Sequence, residues 1–286
     1  MATQAELVQV IQTESERLQQ YLVALPAGTW TQPSACALWD IRDVVAHLSG
    51  IANGYRDRMT RGLRGDTSPS AGFPAPDIFT TLSGEERRQR ATRFAEGAIA
   101  LRVRLGNDLL AAFRHAWDPF PPFLATLTAH DWHQLCYHSC GLIPVHTVAH
   151  AGLFELAIHG WDIRSALEPS APFSSDTLAA MLDFFAACPH WFFLPAARLS
   201  PPIRYRFTFP GDCSRPWDIV VAGDQAHIGP AAAATSADVT FTCTRETFAL
   251  VLCGRMGFDA ALGDKRLIPT GDMAVARAFK QWFQGA

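Results

Sequence analysis

The segment 145–167, VHTVAHAGLFELAIHGWDIRSAL, constrains the fold more than any other part of the chain. Its apolar residues follow a helical period and recur on nearly every side of the helix. Glu155, Asp162 and Arg164 are its only formally charged residues, yet they and three histidines interrupt it too often for the roughly 18 apolar residues of a membrane span. Such a helix has to be packed on more than one side by other helices. It carries three of the chain's ten histidines, His146, His150 and His159.

Three more helices are expected around it. Residues 4–24 place Leu7, Ile11, Leu18, Leu22 and Val23 near one face with Glu and Gln opposite, and Pro26-Ala27-Gly28 stops the run. Asp40 is a good N-cap for a second helix over 41–63, whose apolar face holds Ile41, Val44, Val45, Leu48 and Ile51, with His47 on or beside it. A third is expected from about Ser83 to His115 on the spacing of Phe94, Ile99, Leu101, Leu105, Leu109 and Phe113. The stretch GDTSPSAGFPAPD, residues 65–77, is rich in Gly, Pro and Ser and reads as a surface loop, of a kind that often lies over sites.

After Glu168-Pro169 the texture changes. A helical stretch over 177–185 and a proline-rich turn lead to the alternating runs RYRFTF, WDIVVA and ADVTFTC, which read as strands; TRETFALVLCGRM and DMAVARAFKQWF are again helical. The expected fold class is therefore mainly α followed by α+β, with an all-helical domain over 1–168 and a small α+β domain over 169–286.

Composition removes several functions. Twenty-four Lys and Arg against 27 Asp and Glu, scattered along the chain, leave a net charge of -3, so nucleic acid and anionic membrane are not expected partners. Glu6 stands where a secretory leader would be basic, and the expected location is the cytoplasm. Seven irregularly spaced cysteines make no disulfide framework and fit a reducing compartment. Cys136 and Cys140 are close enough for a metal clip but lack a second pair, so two ordinary thiols are the expectation.

Metal chemistry is suggested by Glu155 and His159, four apart on one helix and able to grip one ion from neighbouring turns. His47, on a helix whose other inward residues are aliphatic, is the natural third donor. Two imidazoles and a carboxylate are a common catalytic zinc set with a coordination position left open. His146 and His150 have the same spacing. Nine residues separate each member of one pair from its counterpart, which at about 100° per residue sets the pairs on opposite faces. Both cannot meet His47, and spacing alone leaves the choice open. Asp162, three residues past His159, can hold that imidazole from behind or sit as a surface acid.

WDIRDVVAHL (39–48) with FELAIHGWDI (154–163) resembles the mycothiol-dependent maleylpyruvate isomerase family, whose N-terminal domain is a DinB-like four-helix bundle. The resemblance implies that His47, Glu155 and His159 bind a divalent metal, usually zinc, and that Trp39 and Trp161 are packing residues. The tail from Phe248 to Phe283 resembles the end of a sterol carrier protein-like α/β domain, on Gly254, Gly263, Gly271-Asp272 and Phe283. The isomerase has an important C-terminal arginine, for which Arg255 is the best aligned candidate and Arg266 its neighbour. Two stretches depart from simple members, DFFAACPHWFFLPAARL and HDWHQLCYHSC, and either enlarge an apolar pocket or pack between domains; within the second, His133, Tyr137 and His138 can supply an acid or base.

The function so implied is that of a metal-dependent enzyme using a low-molecular-weight thiol such as mycothiol as nucleophile or cofactor. It would act by isomerisation or S-transfer on a small electrophilic substrate, as a monomer or homodimer. The same ligands permit a hydrolase that needs no thiol, and a non-catalytic carrier of apolar ligands is the third reading.

Overall fold

The computed structural model describes residues 3–69, 83–194, 199–211, 215–232 and 235–283. The part of the 65–77 loop beyond residue 69, Cys213, and residues 195–198 of the aromatic stretch lie outside the described residues. Two compact units divide the chain, Met1–Ala180 and Met181–Ala286.

The first unit is helical. Helix α1 (Gln4–Ala24) starts with Thr3 and Glu6 in a capping box, and α2 (Ile41–Gly62) starts likewise with Asp40 and Asp43. The helix expected over 83–115 is broken into α3 (Gly84–Leu105) and α4 (Leu109–Trp117). The break falls at Gly106, whose φ of +56° a glycine adopts without steric cost, followed by one 3-10 turn. Short α5 (Phe120–Ala125) precedes an antiparallel hairpin, β1 (Leu135–His138) and β2 (Gly141–Pro144), with Cys136 opposite Ile143. Strands of four residues give too little alternation to be read from sequence, and the hairpin was not anticipated. Helix α6 (Val145–Leu167) follows directly, and α7 (Ser175–Ala187) carries the chain across the boundary into the second unit.

Helix α2 packs on α3, α4, α6 and β1, and α1 packs on α4, α5 and α6. Fifteen of the 23 residues of α6 are buried, as a helix with neighbours on several sides requires. Leu7, Ile11, Leu18 and Leu22 of α1 are buried as expected, whereas Val23 and Phe94, also placed on apolar faces, are exposed. The Arg90 guanidinium lies over the Phe94 ring at 5.6 Å. Polar ties fix the helices: Arg102 of α3 donates to Asp43 of α2 at 2.6 Å, and Trp117 Nε1 of α4 donates to the Leu48 carbonyl of α2 at 3.1 Å. Buried Glu14 of α1 accepts from Thr177 at 2.9 Å and pairs with Arg17 and Arg164.

The second unit is built on a five-stranded sheet. Strands β3 (Leu199–Thr208), β4 (Trp217–Gly223), β5 (Gln225–Pro230), β6 (Val239–Thr242) and β7 (Ile268–Gly271) lie in the order β5-β4-β3-β6-β7. All neighbours are antiparallel except β3 and β6. Helices α8 (Arg245–Leu252), α9 (Phe258–Gly263) and α10 (Met273–Trp282) complete it. The three alternating runs became β3, β4 and β6; β5 and β7, with His, Gly and Pro in them, were not legible. Inward residues of β3 two apart, Tyr205 and Phe207, meet Phe241, Phe248 and Phe279, with Phe207 centred 4.6 Å from Phe248 and 5.1 Å from Phe241. Burying each such ring contributes on the order of 1.5–3 kcal/mol.

No helix among the described residues is long and apolar enough to cross a membrane.

Candidate metal centre

The centre forms where α2 and α6 lie side by side. The Asp40 cap fixes the start of α2, so that His47 falls almost two turns in, facing α6 beside the buried Val44 and Leu48. Across from it, Glu155 and His159 project from consecutive turns of α6. His47 Nε2 and His159 Nε2 each stand 3.2 Å from Glu155 Oε2. One donor atom from each of the three residues lies within 4.8 Å of the other two. The two imidazole rings are centred 4.7 Å apart, edge to face.

Electrostatics at the centre favour a cation. Burial works against a charge on Glu155, but hydrogen bonds from His159 and His47 outweigh it and hold its carboxyl well below the usual carboxylate range. Burial pushes the pKa of His47 down, the Glu155 contact opposing it, so this imidazole is kept neutral. Burial also opposes charge on His159, yet Asp162, Cys36 and Glu155 together raise its pKa well above the ordinary histidine value. Positive charge is thus welcome at this ring. Asp162 Oδ2 accepts from His159 Nδ1 at 2.9 Å, which leaves Nε2 as the atom turned to Glu155.

The competing pair is engaged elsewhere. His146 Nδ1 lies 3.1 Å from the Trp132 carbonyl and His150 Nδ1 lies 2.8 Å from the His146 carbonyl. Buried Cys136 and Cys140 are free thiols that burial pushes up to about 12 and about 11, values that leave them protonated and inert at neutral pH. His138 is buried, accepts the Cys140 main-chain N–H at Nδ1 (3.2 Å), and its Nε2 lies 3.4 Å from the Tyr55 hydroxyl. Tyr137 is buried with the Arg58 guanidinium 5.6 Å over its ring, and His133 is exposed with its ring 5.7 Å from that of His146. Arg255 belongs to the second unit, where it is half-buried and donates to the Cys253 carbonyl at 3.4 Å; Arg266 is exposed.

Two residues at the centre were missed as such by the sequence. Cys36 brings its sulfur within 4.8 Å of ligand atoms of both His159 and Asp162. Trp39 lies with its ring centred 4.8 Å from that of His47 and 5.5 Å from that of His159. Neither stands at helical spacing to a ligand on α6, so no local pattern connects them to it. Trp161, by contrast, packs by stacking on Phe173.

A helical bundle bearing two histidines and a glutamate, followed in sequence by a mixed five-stranded sheet, defines a two-part class of protein. Residues 11–164 match the mycothiol maleylpyruvate isomerase N-terminal domain, and the chain belongs to that family. Residues 198–284 match the SCP-2 sterol transfer family. Among solved structures, a mutant of the mycothiol-dependent maleylpyruvate isomerase is similar with a TM-score of 0.59 at 13% identity, covering 95% of each chain. A second structure of the mycothiol-dependent maleylpyruvate isomerase gives 0.55 at 14% identity, covering 89% of this chain and 90% of the other. At such identity the likeness is one of fold. No curated protein matches the sequence.

Proposed function

We propose that this chain is a metal-dependent enzyme that uses a low-molecular-weight thiol of the mycothiol kind. It would work on a small electrophilic substrate, by isomerisation or S-transfer. The observation that carries this reading is the convergence of His47, Glu155 and His159 on one small volume. The donor set fits a divalent ion of the zinc type, with two imidazole nitrogens, an ionised carboxylate, and Asp162 fixing the tautomer of one ligand. When bound, such an ion supplies the positive charge that favours the thiolate form of a thiol at neutral pH.

The chain's own residues have separable tasks. His47 offers a neutral nitrogen, His159 offers its Nε2 once an incoming cation takes the place of the proton there, Glu155 balances charge, and Asp162 keeps His159 in register. The thiolate adds to an electrophilic carbon; its later departure completes an isomerisation, and its retention gives a conjugate. Arg255 is proposed, on the family resemblance, as the residue that anchors a substrate carboxylate, and Arg255→Ala should lower turnover while metal content stays unchanged. The metal-binding domain is proposed to span 1–168 and the sterol carrier protein-like domain 169–286. A cytoplasmic location fits the free cysteines.

Metal analysis coupled to a thiol screen tests the proposal. The purified protein should hold about one zinc per chain and bind mycothiol only when loaded; His47→Ala should hold none. Full metal in His47→Ala would refute the ligand assignment, and turnover without any thiol would favour a hydrolase.

A further inference from the structure

Residues 34–40 lead into α2 and hold one side chain against the triad. Ser34 donates its main-chain N–H to the Trp39 carbonyl at 3.0 Å, and the Cys36 N–H donates to Ser34 Oγ at 3.1 Å. Ala35 N–H donates to the carbonyl of Asp162 at 2.9 Å, tying the segment to the residue that fixes His159. Leu38 sits at φ +72°, a region unfavourable for a bulky side chain, and is 81% exposed. Its neighbour Trp39 is turned inward and only 7% exposed.

The Trp39 ring flanks both histidines of the triad. Its Nε1–H is enclosed and has no hydrogen-bond acceptor among the described residues. A buried N–H without an acceptor is rare in folded proteins, because it gives up hydration and receives nothing in return. An indole nitrogen can only donate. None of the described residues accepts from it, and its ring stands beside both histidines of the proposed metal centre, where a bound ligand can supply an acceptor.

We propose that Trp39 is a ligand-binding residue of this centre, whose indole N–H donates a hydrogen bond to an anionic atom of the bound molecule, a thiolate sulfur or a carboxylate oxygen. The inference rests on the metal reading given above. Donation to a charged acceptor favours the ionised form, so the same N–H stabilises an anion and discriminates against ligands that present a donor there.

Nitrogen-15 NMR of the indole N–H groups in the zinc-loaded full chain tests it. Of the eight tryptophans, Trp39 is identified as the peak lost in Trp39→Phe, which keeps an aromatic ring. It is identified independently as the peak most displaced when cobalt(II) replaces zinc, so a poorly folding variant does not block the assignment. The probes are 2-mercaptoethanol, which offers sulfur alone, and acetate, which offers a carboxylate alone; binding of each is read from the visible spectrum of the cobalt protein. At least one probe should move the Trp39 proton downfield in the zinc-loaded protein and not in the metal-free one. Its affinity should fall about tenfold in Trp39→Phe, the scale of one hydrogen bond to a charged group. A response to 2-mercaptoethanol assigns sulfur, and a response to acetate assigns the carboxylate. The proposal is overturned if a probe alters the cobalt spectrum while the Trp39 peak stays in place, or if neither probe alters that spectrum. Metal content, measured first, separates the two readings: a chain that takes up no metal overturns the metal centre itself.

Discussion

The carboxylate of Asp162, with no solvent exposure, holds His159 Nδ1 at 2.9 Å and so presents the opposite nitrogen of that ring to Glu155. The tautomer of a proposed ligand is thereby set by a residue three positions further along the same helix. Asp162→Asn keeps the shape and removes the charge that fixes the tautomer. Zinc affinity, measured by competition with a chromophoric chelator, should drop by about 10- to 100-fold. An unchanged affinity would mean that Asp162 serves the fold alone.

Metal should also stabilise the helical unit. Zinc at about 100 times its dissociation constant is expected to add roughly 2.7 kcal/mol to the folded state. For a unit of this size that raises Tm by about 5–10 °C. Thermal melts with zinc and with a chelator read the difference directly, and Glu155→Gln should abolish it. Equal melting curves under both conditions would contradict the metal reading.

Gly62 ends α2 against the hairpin, where an added Cβ would lie 2.5 Å from Cys136 Cβ and 2.7 Å from the Leu135 carbonyl oxygen. Alanine is ordinarily better than glycine in a helix by about 1 kcal/mol. Here the overlap with main chain should reverse the sign, and Gly62→Ala is expected to cost about 1–3 kcal/mol. Urea denaturation measures it; a more stable variant would show that the hairpin moves away without penalty.

The second unit should weaken in acid through Asp218. Burial opposes its ionisation, but Arg206 at 2.8 Å and Arg204 at 2.9 Å outweigh that and lower its pKa below the ordinary value. A carboxyl with a depressed folded pKa contributes stability above its unfolded pKa of about 3.9. That contribution is lost as pH falls through the folded value. Asp218→Asn should therefore lose stability at pH 7 and show a flatter acid limb than the parent. Parallel limbs in urea midpoints taken from pH 7 to pH 3 would assign the acid sensitivity to other groups.

How far the sequence reaches differs from element to element. Capping boxes and helical periods are local, and α1, α2 and α6 stand near where those signals put them. The break at Gly106 and the hairpin between α5 and α6 were invisible for opposite reasons. One glycine does not end a helix by itself, and four-residue strands carry too little pattern.

At the centre, the sequence by itself determined that Glu155 and His159 share a helical face, because a period of 3.6 residues makes that a local fact. It could not choose between this pair and His146 with His150 by spacing. Only the tertiary structure decided which face of α6 meets His47, since that depends on how α2 packs against α6 over a separation of 108 residues. The places of Trp39 and Cys36 were decided in the same way: local hydrogen bonds of Ser34 close the turn, but the bond from the Ala35 N–H to the Asp162 carbonyl that sets the turn against α6 exists only once the helices have assembled.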